Sequence, residues 1–251
     1  MRRSLPLRLA PLALVFGLLV VLELCVRTGV VSRHIIPPPT RIVSRLIEMI
    51  GDGSLWPPLV QSGRVFLIAL IGSVVLGFLC GLLLHTVPRL RAAVAPVLTS
   101  YFAVPIFVFY PVFIVLFGLG DLALVLVAGI FGMMAFISAT LNGLDRLPRV
   151  FGRSAQVMGL GRVARLWHVT LPSLAPHLMV GGKIAVTYAL IGVIGGEFIL
   201  ATEGLGYRIA FAYNNFETER MYALMTVIIL IAVGLNGALQ RAEVRMREKF
   251  R

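Results

Sequence analysis

Six stretches of the chain run apolar for about the length of a bilayer-crossing helix, and polar residues collect in the gaps between them. The stretches cover roughly Leu9–Val26, Val65–Leu84, Val97–Phe117, Leu122–Leu141, Lys183–Ala201 and Tyr222–Leu239. They approach or exceed the ~20 residues that cross a hydrocarbon core as helix. Barrel strands would instead alternate over ~10 residues, and these runs are unbroken. The pattern predicts an all-α, polytopic membrane protein with about six transmembrane helices, its backbone groups satisfied within each helix. The third stretch carries Pro105 and Pro111. It is expected to kink there and to pack inside the bundle, where neighbouring helices re-satisfy the freed carbonyls.

Three connections have a pattern of their own. Pro37-Pro38-Pro39 is followed by Thr40, read as an N-cap, and then by Ile42, Val43, Leu46, Ile47 and Ile50 at helical spacing. This predicts a short amphipathic helix at the membrane interface or against the bundle, closed by Gly51 and Gly53. The four residues Gly118-Leu119-Gly120-Asp121 force the third and fourth spans to be antiparallel neighbours. The connection from about 142 to 182 is the longest on its side. Helix is expected from Ser154 to Trp167, broken by Thr170-Leu171-Pro172, with a second proline at Pro176. A proline-flanked helix carrying several arginines reads as a docking element. The whole of 1–251 reads as a single transmembrane domain.

Composition supports the membrane class. Of the 251 residues 59% are hydrophobic and 14% charged, against about 25% charged in soluble domains. The net charge of +12 does not indicate nucleic acid, because the basic residues lie between apolar runs and form no patch with interleaved aromatics. With the N-terminus inside, sixteen Lys and Arg fall on the inner side and seven on the outer, which predicts cytoplasmic termini. Met1-Arg2-Arg3 before an apolar run resembles a secretory signal, but no small-x-small cleavage site follows, so it reads as a retained first helix. Cys25 and Cys80 fall at opposite ends of their helices, roughly 20 Å apart, too far for a disulfide.

The docking connection resembles a known signature. Permeases of ATP-binding-cassette (ABC) importers carry E-A-A-x3-G-x9-I-x-L-P in an inner loop. Here Arg153-Ser154-Ala155, three residues, Gly159, nine residues and Val169-Thr170-Leu171-Pro172 reproduce the spacing, with Arg153 and Ser154 in place of Glu and Ala. Glu203-Gly204-Leu205-Gly206-Tyr207, Val104-Pro105, Phe117-Gly118-Leu119-Gly120 and the triple proline resemble the nitrate/sulfonate/taurine branch of these permeases. The resemblance covers most of the chain from about residue 35. It implies a type I importer transmembrane domain whose knob, Arg153, Ser154, Ala155, Gly159, Val169, Leu171 and Pro172, couples to a separate ATPase subunit. It also implies a substrate-binding protein and a second permease copy as partners, besides the lipid bilayer. The solute implied is a small sulfonate-, nitrate- or taurine-like anion, with a thiamine pyrimidine precursor or an aromatic compound as alternatives. Arg153 in the family's glutamate position calls for a compensating change on the ATPase.

Few residues suggest site chemistry. Glu197 is the only acid well inside a predicted span, and a charge at that depth costs ~2.5–3.5 kcal/mol on insertion scales. Two readings stand: a path or gate acid, or a helix-terminal acid reaching water or Arg208. Tyr188 and Thr187 are further path candidates, although such residues, like Tyr101 and Tyr110, commonly serve as interhelical glue. Glu23 can pair with Arg27 four residues on. His34, His85, His168 and His177 lack ligand spacing, so no metal is expected, and no cofactor. No G-x-x-x-x-G-K-[ST] loop occurs, so no enzymatic activity is expected, and ATP hydrolysis belongs to another chain. A self-sufficient secondary transporter, the alternative, would show matched broken helices and an ion-coupled site, and the sequence displays no convincing repeat.

Overall fold

The computed structural model describes residues 5–148, 150 and 157–249. In chain order the helices are α1 (Leu5–Arg27), α2 (Pro39–Gly51), α3 (Trp56–Thr86), α4 (Pro88–Ser100), α5 (Tyr110–Phe117), α6 (Asp121–Asp145), α7 (Arg162–Arg165), α8 (Leu171–Leu200), α9 (Leu205–Asn214) and α10 (Thr218–Lys249). Four of the described helical segments, Trp56–Thr86, Asp121–Asp145, Val163–Leu200 and Thr218–Met246, are long and apolar enough to cross a bilayer. Leu14, Phe16, Leu18, Ile71, Leu79, Leu83, Ile229, Leu230 and Val233 are among many large apolar side chains left exposed. In water such faces would have to be covered, so lipid or another subunit must meet them.

The centre of the bundle is a sheaf of α3, α6 and α8. These helices approach closely because small residues recur every four positions. On α3 the buried face runs Val65, Ala69, Ser73, Gly77, Gly81, and on α8 it includes Gly181, Ala185, Ala189, Val193. A Cβ on Gly81 would lie 2.6 Å from Thr140 Cβ on α6, so that crossing needs glycine. Where lipid removes the hydrophobic drive between helices, such backbone proximity supplies the packing. Ion pairs hold the ends of the sheaf. Arg91 of α4 grips Asp145 of α6 in two hydrogen bonds of 2.9 and 2.6 Å. Asp121, opening α6, accepts from Gln61 of α3 at 2.8 Å and from Arg64. Lys183 of α8 pairs with Glu243 of α10.

Three expectations are corrected. The Val97–Phe117 stretch is not one kinked helix. It divides into the end of α4, a 3-10 turn at Tyr101–Ala103, extended backbone at Val104 and Pro105, a second 3-10 turn at Ile106–Phe109, and α5. A proline removes a donor and crowds the preceding turn, and it forces its predecessor into extended backbone; with Pro96, Pro105 and Pro111 so close together the helix breaks. Nor does Leu171-Pro172 break a helix: α7 runs through a π turn at Leu166–Thr170 directly into α8. The Leu171 N–H bonds Leu166 O five residues back, and the widened turn accommodates the ring of Pro172 that follows. Third, Thr40 is not the N-cap of α2. Pro38 holds that place, and Thr40 lies inside the first turn. The amphipathic helix itself forms, but only Ile42 and Leu46 of its expected apolar face turn inward, joined by Met49 against Leu205, Ile209 and Leu224 of α9 and α10; Val43, Ile47 and Ile50 are exposed.

Candidate functional site

Glu197 lies near the end of α8 and is 1% exposed. One carboxyl oxygen accepts from Ser62 Oγ of α3 at 2.7 Å and from the Gly206 N–H of α9 at 2.9 Å. Ser62 Oγ in turn accepts the Leu205 N–H at 2.8 Å. The other carboxyl oxygen has no hydrogen-bond partner among the described residues. The first amides of a helix lack intrahelical partners and carry partial positive charge. Here Glu197 and Ser62 satisfy two of them for α9 and so tie α9 to α8 and α3. Gly204, at φ +104°, swings the chain back over the carboxyl group, and a Cβ there or on Gly206 would run into Glu197. The Gly-Leu-Gly sequence after Glu203 is thus the turn that brings donors to this acid, and neither of its two donors is Arg208.

The same device recurs at α2. Glu23 of α1 accepts the Thr40 N–H at 3.1 Å and the Thr40 hydroxyl at 2.8 Å, while Arg27 donates to it at 2.6 Å. Each of the two short helices at this end of the bundle is therefore capped by a glutamate from a long one. The sequence shows the Glu23–Arg27 spacing and the Gly-Leu-Gly turn but neither cap, because a cap supplied from another helix leaves no local spacing.

Tyr188 and Thr187 lie side by side on α8 but in different surroundings. Tyr188 packs against Tyr101 and Phe131, with ring centroids 6.1 and 6.0 Å away. Thr187 is exposed and donates to Lys183 O of its own helix at 3.0 Å. The aromatic group extends to Phe109, 6.0 Å from Phe131. It backs an apolar cavity of about 570 Å3 beside the broken α4–α5 segment, lined by Tyr101, Phe109, Phe113 and Phe131 among others. Glu197 and Tyr188 are nine residues apart on α8, so the acid at the capped end and the aromatic wall are separate features of one helix.

In the candidate coupling segment, Arg153, Ser154 and Ala155 lie outside the described residues. Gly159 sits in a turn at φ +66°, in left-handed backbone where glycine is favoured, so the helix expected over Ser154–Trp167 is interrupted there and α7 opens only at Arg162. Val169 belongs to the π turn, and Leu171 and Pro172 open α8. Beneath them a cavity of about 250 Å3 is lined by Gly143, Arg146, Pro172, Ser173 and His177. No cluster of three potential metal ligands occurs among the described residues.

Residues 73–247 match the family described as the binding-protein-dependent transport system inner membrane component. The taurine transport system permease protein of Escherichia coli (strain K12) is 27% identical over 86% of this chain and 80% of its own length. The formylaminopyrimidine transport permease protein of Halalkalibacterium halodurans is 27% identical over 94% of this chain and 93% of its own. Among solved structures, the MetNI methionine ABC transporter in an inward-facing conformation aligns with TM-score 0.62 at 17% identity, over 74% of this chain and 93% of that one.

Proposed function

Because the chain belongs to the family of binding-protein-dependent transport system inner membrane components, we propose that it forms half of a solute path opened by a separate ATPase and supplied by a binding protein. It is a multi-pass permease subunit of an ABC importer in the inner membrane, with the type I importer fold. The family match over 73–247 carries this reading.

Both termini face the cytoplasm, following the bias of sixteen basic residues to seven. The α9 end, with Glu197, is then the outer end. The segment from Arg153 to Pro172 meets the ATPase. Its turn at Gly159 and the continuous run from α7 through the π turn into α8 give a stiff lever from the docking surface into the membrane. ATP closure of the ATPase pair moves that lever and reorients the path. Exposed apolar faces on the long helices suit pairing with a second copy of the chain. Glu197 belongs to the outer gate as the tie that holds α9 across the bundle end, and Tyr188 and Thr187 flank the path.

The solute is a small sulfonate-like anion, on the strength of the taurine permease. A formylaminopyrimidine-like heterocycle is the second reading. It is favoured by the equally similar pyrimidine permease and by the uncharged aromatic wall of Tyr101, Phe131 and Tyr188, which suits stacking against a flat ring.

Co-purification with the ATPase encoded nearby tests the subunit assignment, comparing the wild type with Gly159→Asp. Association that the substitution abolishes, or ATP hydrolysis that it uncouples, supports the docking segment. Transport by the purified chain alone in liposomes would refute the importer reading. Uptake of labelled taurine competed by formylaminopyrimidine, or the converse, separates the two solutes.

A further inference from the structure

At the end of the bundle that carries α2 and α9, the chain leaves a polar cleft of about 850 Å3. Its walls supply Arg27, Arg33, His34, Arg41, Arg45 and Arg220, against Glu217 and Glu219. Three of these arginines are already matched: Arg27 with Glu23 at 2.6 Å, Arg45 with Glu48 at 2.8 Å and Arg220 with Glu217 at 3.3 Å. Arg33 and Arg41 are exposed and make no salt bridge among the described residues. Cations of one sign crowded into a cleft raise the local concentration of anions, and an arginine fork matches a phosphate in two hydrogen bonds.

The depth of the cleft selects the source of the anion. Val26 and Arg27 close α1, and Thr218 opens α10, and all three line it. Both helices are apolar over their bodies, so their shared end lies at the headgroup layer rather than in open water. Around it Val30, Ile35 and Phe216 are 78%, 67% and 88% exposed; apolar groups of this kind settle at the boundary between headgroups and acyl chains. From the cleft the exposed row Leu24, Val21 and Leu18 runs down α1, a surface along which acyl chains can lie. A solute or an acidic protein would have no use for that row.

We propose that this cleft holds the phosphate of an anionic phospholipid, with Arg33 and Arg41 as its direct cations and the acyl chains along α1. The site needs neither a transported solute nor the ATPase, so it can be tested without transport.

The full-length chain is purified in detergent, and retained lipids are read by native mass spectrometry after exchange against equal phosphatidylglycerol and phosphatidylcholine. The wild type should prefer phosphatidylglycerol by about tenfold or more, given two unmatched basic residues at the membrane surface. An Arg33→Gln/Arg41→Gln variant should lose that preference, and Arg89→Gln in α4, exposed and outside the cleft, should keep it. Both residues of the double variant are exposed, and an unchanged melting temperature in detergent without added lipid would show that the fold is intact. Equal retention of the two lipids by the wild type overturns the proposal, as does an unchanged preference in the double variant. If the double variant keeps the lipid preference but loses capture of the acidic face of a binding protein, the cleft is a protein docking surface and the lipid assignment is wrong.

Discussion

Removing the Glu197 carboxyl group should loosen α9 from the bundle at a cost that the geometry bounds. Glu197→Ala withdraws the acceptor from Ser62 Oγ, 2.7 Å away, and from the Gly206 N–H, 2.9 Å away, in a site that is 1% exposed. Ser62 lies in α3 and can turn its hydroxyl to the carbonyl four residues back, so its loss is partly recovered. The Gly206 amide opens a helix and has no such alternative. A stranded buried donor costs about 1–3 kcal/mol, and a partly collapsed cavity adds about 1–2 kcal/mol. The sum is about 2–5 kcal/mol. Glu197→Gln keeps one acceptor oxygen but puts an amide nitrogen where the other carboxyl oxygen finds no partner among the described residues, so about 1–3 kcal/mol is expected.

The assay is thermal unfolding of the detergent-solubilised chain, for these variants, Ser62→Ala and the Ser62→Ala/Glu197→Ala pair. Residues joined in one network should couple by about 0.5–3 kcal/mol in the double-mutant cycle. The reasoning fails if Glu197→Ala melts with the wild type. It fails too if the two single effects simply add, because Ser62 and Glu197 would then not hold α9 together.

Three further substitutions probe other joints. Gly181→Ala places a Cβ on α8 against the Ala139 Cβ of α6 and should cost about 1–3 kcal/mol; Ala139→Gly in the same chain should restore most of it, read by the same melts. Gly206→Ala puts a Cβ 2.7 Å from Glu197 Cβ and 2.8 Å from the Phe198 nitrogen, so destabilisation of about 1–3 kcal/mol should coincide with faster hydrogen exchange across α9. Glu23→Ala removes the acceptor of the Thr40 amide. It should speed exchange at the first turn of α2 while leaving the amides of α6 unchanged, and equal protection in both chains would mean that α2 is held by its apolar face alone.

Much of this architecture can be read from hydrophobic runs and fixed spacings, and the places where that reading fails share a cause. The long spans were legible because a helix in lipid needs some twenty apolar residues, and such a run looks like little else. The α2 helix was legible because one face of it repeats every three to four residues. The break between α4 and α5 was not, since prolines mark a weak point without saying whether neighbours will bridge it. At Pro172 the opposite outcome held, because a π turn absorbed the proline.

The sequence by itself determined the solvent this protein folds in, most of the helices long enough to cross it, and the spacing that resembles importer permeases; all three rest on local composition and on order along the chain. Only the tertiary structure decided what Glu197 and Glu23 do. Each acid meets a helix start that lies nine or seventeen residues away, and Ser62, which completes the first of these caps, is 135 residues from Glu197. The partners of a buried carboxyl group are chosen by which helix ends arrive beside it, and that depends on how the glycine and serine faces of α3, α6 and α8 let their backbones pack.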